Sequence, residues 1–453
     1  MKKLLTLSLC CFSIAFLKAQ SIVYRDAETS AMVNEVSKDS LKAYDQALIN
    51  FGTRHTLSTQ HSKTKGIGAA RDYVLSKFNS FKAQAAGRLT AYIDTITYLP
   101  DGQRVDRPII LGNVIARLQG TDPKDKRIFI VSGHLDTRRT DVMDSVGIAP
   151  GANDDGSGTS AIIECARIMS QYKFSATILF VAVSGEEQGL LGANFLADKA
   201  KKENWLVAAM LNNDMIGSTS TSETGINNNV QVRVFSEGLS YYNLDKAAKK
   251  IRQYGLENDG AARQLARYIK EVGERYVDNL EVKLIYRNDR FLRGGDHTPF
   301  VENGFAAVRL TDMNENFDHQ HQDIRTQQGV QYGDLIEYMD FEYLRKNTAL
   351  NIASLASLAK APSKPRDVVI LVSDLTNKTT LSWKAPVAGH AEGYYVMMRE
   401  TTSAVWQKKF FTKDTSMTLP YSKDNYFFAV QAVDNKGNES LAAVPIPTRS
   451  IPK

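Results

Sequence analysis

The chain has 453 residues, 43% of them hydrophobic and 23% charged. That length suits two or three domains, and the composition excludes a fibre or a generally disordered chain. The formal charge is +6, but Lys2, Lys3 and Lys18 lie in an acid-free N-terminal segment, so the remainder carries about +3, too little to argue for nucleic acid or an anionic membrane surface as partner.

The chain opens MKKLLTLSLCCFSIAFLKAQS, two lysines followed by an apolar run from Leu4 to Leu17. A bilayer-crossing helix needs about 20 apolar residues, and this run is shorter. It reads as a secretory signal peptide, residues 1–19, cleaved near Ala19. An exported protein, periplasmic or secreted, with no integral membrane span is the expectation. Cys10 and Cys11 leave with that segment, so Cys165 stands alone and no internal disulfide is expected. It reads as a small apolar residue packed in a helix.

Residues 20 to about 60 read as mixed and helical, and GIGAARDYVLSKFNSFKA, from residue 66, has helical spacing. TAYIDTITYL, NVIARLQG and RIFIVSGHLD follow as strands, the last a buried run ending in Gly, His and Asp. TSAIIECARIMSQY and LLGANFLADKAKK read as helices. ATILFVAVSGEE and WLVAAMLNNDMIG read as buried strands with polar ends. VQVRVFSEG, VKLIYRND and FAAVRLTD add three strand candidates, and residues 334–360 an amphipathic closing helix. Strands alternating with helices predict an α/β domain over 20–360, a mostly parallel central sheet flanked by helices. In such sheets ligands sit beyond the carboxyl ends of the strands.

APSKPRD, residues 361–367, reads as a linker. Beyond it TTLSWKAP, GYYVMMRE, WQKKFFT, SMTLPY and NYFFAVQAVD are short alternating segments, the pattern of an all-β sandwich over 368–453. Trp383 in one strand, the Tyr426-Phe-Phe-Ala-Val run and the DNKGNES turn resemble a fibronectin type III domain. Surface binding, substrate binding and stabilisation are all open as its role.

Histidine is scarce, with seven in the chain. His55, His61 and His390 lack acidic or glycine-rich company and read as surface or structural. The others lie among acids and glycines. GHLD puts His134 and Asp136 at a strand end, a ligand-type imidazole with a carboxylate near enough to orient it. PGANDDGSG, residues 150–158, sets Asp154 and Asp155 in a glycine-rich turn, where Asp154 is placed to bridge two cations and Asp155 or Ser157 to cap the next helix. SGEEQGLLG carries adjacent glutamates, and neighbours at a strand end point in opposite directions; Glu187 as ligand and Glu186 as general base divides the work. LNNDMIG brings Asp214 to the same sheet edge, and NENFDHQHQD offers His319 and His321. Together these nitrogen and oxygen donors suit zinc. One bridging carboxylate among five ligands suits two ions.

The motifs GHLD, PGANDDGSG, GEEQGLLG, NNDMIG, GGDHTPF and a late histidine, in this order over roughly residues 100–330, resemble the M28 family of metallopeptidases, the aminopeptidase and glutamate-carboxypeptidase-like group. The resemblance implies a two-zinc exopeptidase acting on peptides or proteins, an aminopeptidase first and a carboxypeptidase or dipeptidase second. It implies His134 and Asp214 on one zinc, Glu187 and the late histidine on the other, Asp154 between them, Glu186 as general base and Asp136 supporting His134. Asp296 and His297 match a family element near the pocket that is not usually a metal site. The late histidine is His321 by its QDIRT tail, or His319 by its spacing to Asp323. Where the family often has a tyrosine before that histidine this chain has Asp318 or Gln320, which leaves the oxyanion stabiliser unassigned. A serine hydrolase is disfavoured, because Ser157 and Ser184 do not sit in a G-x-S-x-G turn. A non-catalytic binding or adhesion protein, and a one-zinc cyclase of N-terminal glutamine, are the other readings. The complete ligand set disfavours both.

Overall fold

The computed structural model describes residues 23–238, 251 and 253–450; the expected signal segment, 1–19, lies outside them. The N-terminal stretch forms α1 (Ala27–Asn34) and α2 (Lys38–Ile49), whose first turns are capped by the Asp26 and Ser37 side chains, accepting from the amides of Glu28 and Ser40. The helical spacing from residue 66 becomes α3 (Gly66–Ser80).

Eight strands make one sheet: β1 (Leu89–Tyr98), β2 (Ile109–Leu118), β3 (Arg127–His134), β4 (Thr177–Val183), β5 (Leu206–Asn213), β6 (Gln231–Phe235), β7 (Glu281–Ile285) and β8 (Ala307–Asp312). Their order is β1-β2-β4-β3-β5-β8-β6-β7. The β4–β3, β3–β5, β5–β8 and β6–β7 pairings are parallel. β1 and β2 form an antiparallel hairpin, β2 meets β4 antiparallel, and β6 meets β8 antiparallel. The centre is therefore parallel, as the alternation of strands and helices predicts, and the reversals lie towards the two edges.

The helices of this domain continue as α4 (Gly158–Met169), α5 (Leu191–Lys202), α6 (Ala261–Tyr276), α7 (His297–Glu302) and α8 (Phe341–Lys360). β4 is buried along its length and feeds both faces. Ile178, Phe180 and Ala182 join the core built with α3, α4, α6 and α8; Leu179, Val181 and Val183 join the one built with α5 and α7. The closing helix starts later than the pattern suggests. Asp340 caps it, accepting from the amides of Glu342 and Tyr343, and residue 334 falls in the preceding loop. Cys165 is buried in α4 and free. No helix among the described residues is long and apolar enough to cross a membrane.

A short hairpin, β9 (Arg325–Gln327) with β10 (Val330–Tyr332), follows the late-histidine loop. The C-terminal strands are β11 (Arg366–Leu371), β12 (Thr379–Lys384), β13 (Gly393–Glu400), β14 (Lys408–Thr412), β15 (Ser416–Leu419), β16 (Tyr426–Val433) and β17 (Ile446–Thr448). They form two sheets, β15-β12-β11-β17 and β14-β13-β16, over a core in which Trp383 meets Tyr394 edge-on at 5.3 Å. β11 starts inside the stretch read as linker.

The sandwich docks on α6 through buried charge. Asp259 joins Arg267 of α6 to Arg399 of β13, at 2.9 and 2.8 Å. Glu439 accepts from Arg275 of α6 at 2.8 Å and from Lys409 of β14 at 2.7 Å. The Tyr268 hydroxyl donates to the Glu439 carbonyl, and the Tyr286 hydroxyl to the Ala404 carbonyl.

Candidate metal centre

β3, β4, β5 and β8 run parallel as neighbours, so their carboxyl ends share one edge. His134 ends β3, Glu186 and Glu187 follow β4, and Asp214 follows β5. Nε2 of His134 lies 3.1 Å from Asp154 Oδ1 and 3.9 Å from Asp214 Oδ1. Nε2 of His321 lies 3.0 Å from Asp154 Oδ2 and 3.0 Å from Glu187 Oε1. The donors fall into two groups, His134–Asp154–Asp214 and Asp154–Glu187–His321, each with its ligand atoms within 4.8 Å of one another. Asp154 belongs to both, one oxygen facing each group.

His319 is elsewhere. Its ring stacks on Tyr338 with centroids 3.8 Å apart, whereas His321 reaches the carboxylates from a left-handed backbone, φ 56°. Leu190, Met215 and Leu292 also have positive φ, and all three adjoin the cleft or a candidate ligand. Non-glycine residues in that region cost about 1–3 kcal/mol each and cluster at functional sites.

The support expected of Asp136 takes a different form. Nδ1 of His134 meets the main-chain carbonyl of Asp136 at 3.0 Å, with the carboxylate at 3.8 Å. The carboxylate instead accepts the amides of Gly185, Glu186 and Glu187 at 2.9, 3.2 and 3.1 Å, and the Thr56 hydroxyl at 2.9 Å. It anchors the turn that carries both glutamates.

Asp155 is structural. Its carboxylate accepts the amides of His134, Gly158 and Met215 at 2.8, 2.9 and 3.2 Å, tying the start of α4 to β3 and to the residue after Asp214. Ser157 lends its hydroxyl to the Asn153 carbonyl and accepts from the Ile216 amide. The glycines of these motifs permit the approach: a Cβ on Gly133 would stand 2.4 Å from the carbonyl carbon of Gly158. The peptide bond between Asp154 and Asp155 is cis. His297 is buried against the Asn288 carbonyl at 2.9 Å, outside both donor groups. His55 is buried and meets the Val142 carbonyl, while His61 and His390 are exposed.

The electrostatics fit a cation. Burial opposes charge on His134, but hydrogen bonding to Asp154 and the charge of Asp155 raise its imidazole well above the usual value. Burial likewise opposes the charge on His321, yet Glu187 and Asp154 lift it to about 10. Asp154 is held well below the carboxylate range despite burial, by hydrogen bonds from the two imidazoles. Protons are thus gathered where carboxylates outnumber local cations, and divalent ions compete for such protons. The buried Oε1 of Glu187 has no aligned hydrogen-bond donor, an orphan acceptor that metal coordination would satisfy. Imidazole and carboxylate donors at this spacing fit zinc.

Residues 113–237 match Peptidase family M28. A probable zinc metalloprotease of Leptosphaeria maculans is 43% identical over 423 residues, 93% of this chain and 97% of its own. The chain belongs to Peptidase family M28. Another relative, a probable zinc metalloprotease of Pyrenophora tritici-repentis, is 42% identical over 93% of this chain and 87% of its own. The fold is shared with the LapA aminopeptidase of Legionella pneumophila, at TM-score 0.52 and 20% identity over 76% of this chain and 78% of that one. LapB of the same organism gives 0.51 and 17% over 75% and 77%.

This M28 chain also uses residues that motif reading passes over. Arg309 in β8 is fully buried and pairs with Asp214 at 2.9 Å and Asp289 at 3.0 Å. Asp334 accepts the Asn153 and Asp154 amides at 2.9 and 2.7 Å, and burial raises its own carboxyl to about 7. Arg54, also fully buried, donates to the carbonyls of Leu135, Pro150 and Gly151. These three groups fix the Asp154 loop and Asp214 from behind. An arginine inside an apolar strand, as in FAAVRLTD, is the one available signal, because buried arginines are almost always paired.

Proposed function

We propose that this M28 peptidase is an exported exopeptidase that holds two zinc ions between His134, Asp154, Glu187, Asp214 and His321, and is most of all an aminopeptidase. The observation that carries the reading is the position of Asp154, with one oxygen beside His134 and the other beside His321 and Glu187. When bound, zinc supplies Lewis acidity towards the scissile carbonyl and acidifies a water.

The chain's own residues supply the rest. Glu186 lines the same cleft as Glu187, Asp214 and His321. Burial, then the charges of Glu187 and Asp214, push its carboxyl well above the usual range, with His134 opposing. A carboxylate so placed takes a proton from the attacking water and returns it to the leaving amine. Asp136 keeps Glu186 and Glu187 on one rigid turn. The cleft is small, about 220 Å³, which suits a chain end better than a chain passing through.

Export rests on the N-terminal sequence. The two-sheet packing around Trp383 supports reading the C-terminal unit as fibronectin type III-like. Its buried ion pairs with α6 favour stabilisation as its role.

The test is hydrolysis of aminoacyl p-nitroanilides beside their N-acetylated counterparts by zinc-replete protein. Free-amine substrates should be cleaved, activity should vanish with a chelator, and zinc should restore it. Cleavage of blocked substrates alone would refute the aminopeptidase assignment, and cleavage of neither would refute the peptidase reading.

A further inference from the structure

Four arginines line the cleft: Arg104 from the β1–β2 loop, Arg138 after β3, and Arg290 and Arg293 from the β7–α7 loop. They divide sharply. Arg290 is neutralised by Asp289 at 3.1 Å and Glu315 at 2.5 Å, so with Arg309 it belongs to the framework behind Asp214. The other three pair with no carboxylate among the described residues. Arg104 donates to the main-chain carbonyl of Glu187 at 2.6 Å. Arg138 donates to the carbonyls of Arg139 and Thr140. The Arg293 guanidinium is exposed and has no partner among the described residues.

Glu186, Glu187 and Asp214 line the same cavity. Arginines present merely to offset those acids would be expected to pair with them, and none of the three does. Arg104 and Arg138 are instead held by neutral carbonyls, which fix the side chains while leaving their charge and several of their five N–H donors unspent. Three separate loops bring uncompensated guanidinium groups to one small cleft.

Resting on the reading of this cleft as the peptidase site, we propose that Arg104, Arg138 and Arg293 form a carboxylate-binding subsite. Preferred substrates are then short peptides with an anionic group near the scissile bond. A planar guanidinium takes a carboxylate through two parallel hydrogen bonds. The carboxylate has two possible sources, an acidic side chain or the free α-carboxylate of a dipeptide, and the chemistry of recognition is the same.

The test compares kcat/KM of the zinc-loaded protein on four free-amine peptides: Leu-Gly, Leu-Gly-amide, Leu-Glu-amide and Leu-Gln-amide. A charge-assisted hydrogen bond amounts to roughly tenfold or more. At least one charged peptide should therefore exceed its neutral partner by that ratio, and the ratio should collapse towards one in the combined Arg104→Met, Arg138→Met, Arg293→Met protein. An advantage of Leu-Gly over its amide assigns the α-carboxylate; one of Leu-Glu-amide over Leu-Gln-amide assigns the side chain. Equal rates in the wild type, or a ratio that survives the triple substitution, would overturn the proposal. Calorimetric binding of the same peptides to zinc-loaded Glu186→Gln protein separates the two readings. Selective binding of charged peptides with no turnover by the wild type would refute the peptidase and leave the subsite standing. Turnover of charged and neutral peptides alike would do the reverse.

Discussion

Asp136→Asn isolates the anchoring of the glutamate turn. One carboxylate oxygen accepts from Gly185 and Glu186, the other from Glu187 and Thr56. Asparagine keeps one oxygen and turns an NH2 towards the other pair. The Thr56 hydroxyl can rotate to accept, but the Glu187 amide cannot, and flipping the asparagine moves the same conflict to Gly185 and Glu186. An unmade hydrogen bond at a buried amide costs about 1–3 kcal/mol, and the bonds that remain lose their charge assistance, so the turn is weakened by roughly 2–4 kcal/mol. The contact to Nδ1 of His134 comes from the main-chain carbonyl of Asp136 and survives the substitution. The effect therefore reports chiefly on the turn that carries Glu186 and Glu187. Loss of such a supporting group typically lowers metal affinity or activity 10–100-fold. Chelator competition for zinc and kcat on a free-amine anilide measure the two effects. A variant indistinguishable from the wild type in both would refute the anchoring role.

Four further substitutions test separate parts of the structure. His321→Ala should lose zinc while His319→Ala, stacked on Tyr338, keeps it; elemental analysis giving the opposite order would exchange the two assignments. Burial alone would raise the Glu439 carboxyl, but Lys409 and Arg275 hold it below the usual range. Its stabilisation is thus full above the ordinary glutamate pKa and fades as pH falls through the depressed folded value. Glu439→Gln leaves Arg275 and Lys409 with Glu271 as their remaining carboxylate partner, a loss of about 1–3 kcal/mol at pH 7. In urea unfolding the gap from the wild type should narrow below about pH 4.5, and a gap that widens in acid contradicts the assignment. Gly133→Ala drives a Cβ into Gly158 and should cost about 1–3 kcal/mol by overpacking, read as a lower urea midpoint.

The central strands and their polar ends were legible because apolar runs such as ATILFVAV can only be buried on both faces, and the acids that follow them must then meet at one sheet edge. The candidate ligands His134, Asp154, Glu187 and Asp214 emerge from that rule and the motifs around them. The choice between His319 and His321 did not, because it turns on a left-handed backbone at His321 and on a ring stack with Tyr338. The role of Asp136 was hidden for a similar reason: its partners are main-chain amides, which leave no mark in side-chain identity. Arg309 and Asp334 act across the fold, far in sequence from the groups they hold. β11 was missed in part because its first residues fall in a proline-containing stretch that reads as linker.

The sharing of Asp154 between two donor groups is the claim on which the proposed chemistry stands, and the zinc content of three proteins tests it most directly. Wild type and Glu186→Gln should each bind two ions per chain, with turnover lost only in the second. Asp154→Ala strikes both groups at once and should lose both ions together. An Asp154→Ala protein that is folded and retains its full zinc complement would contradict the account.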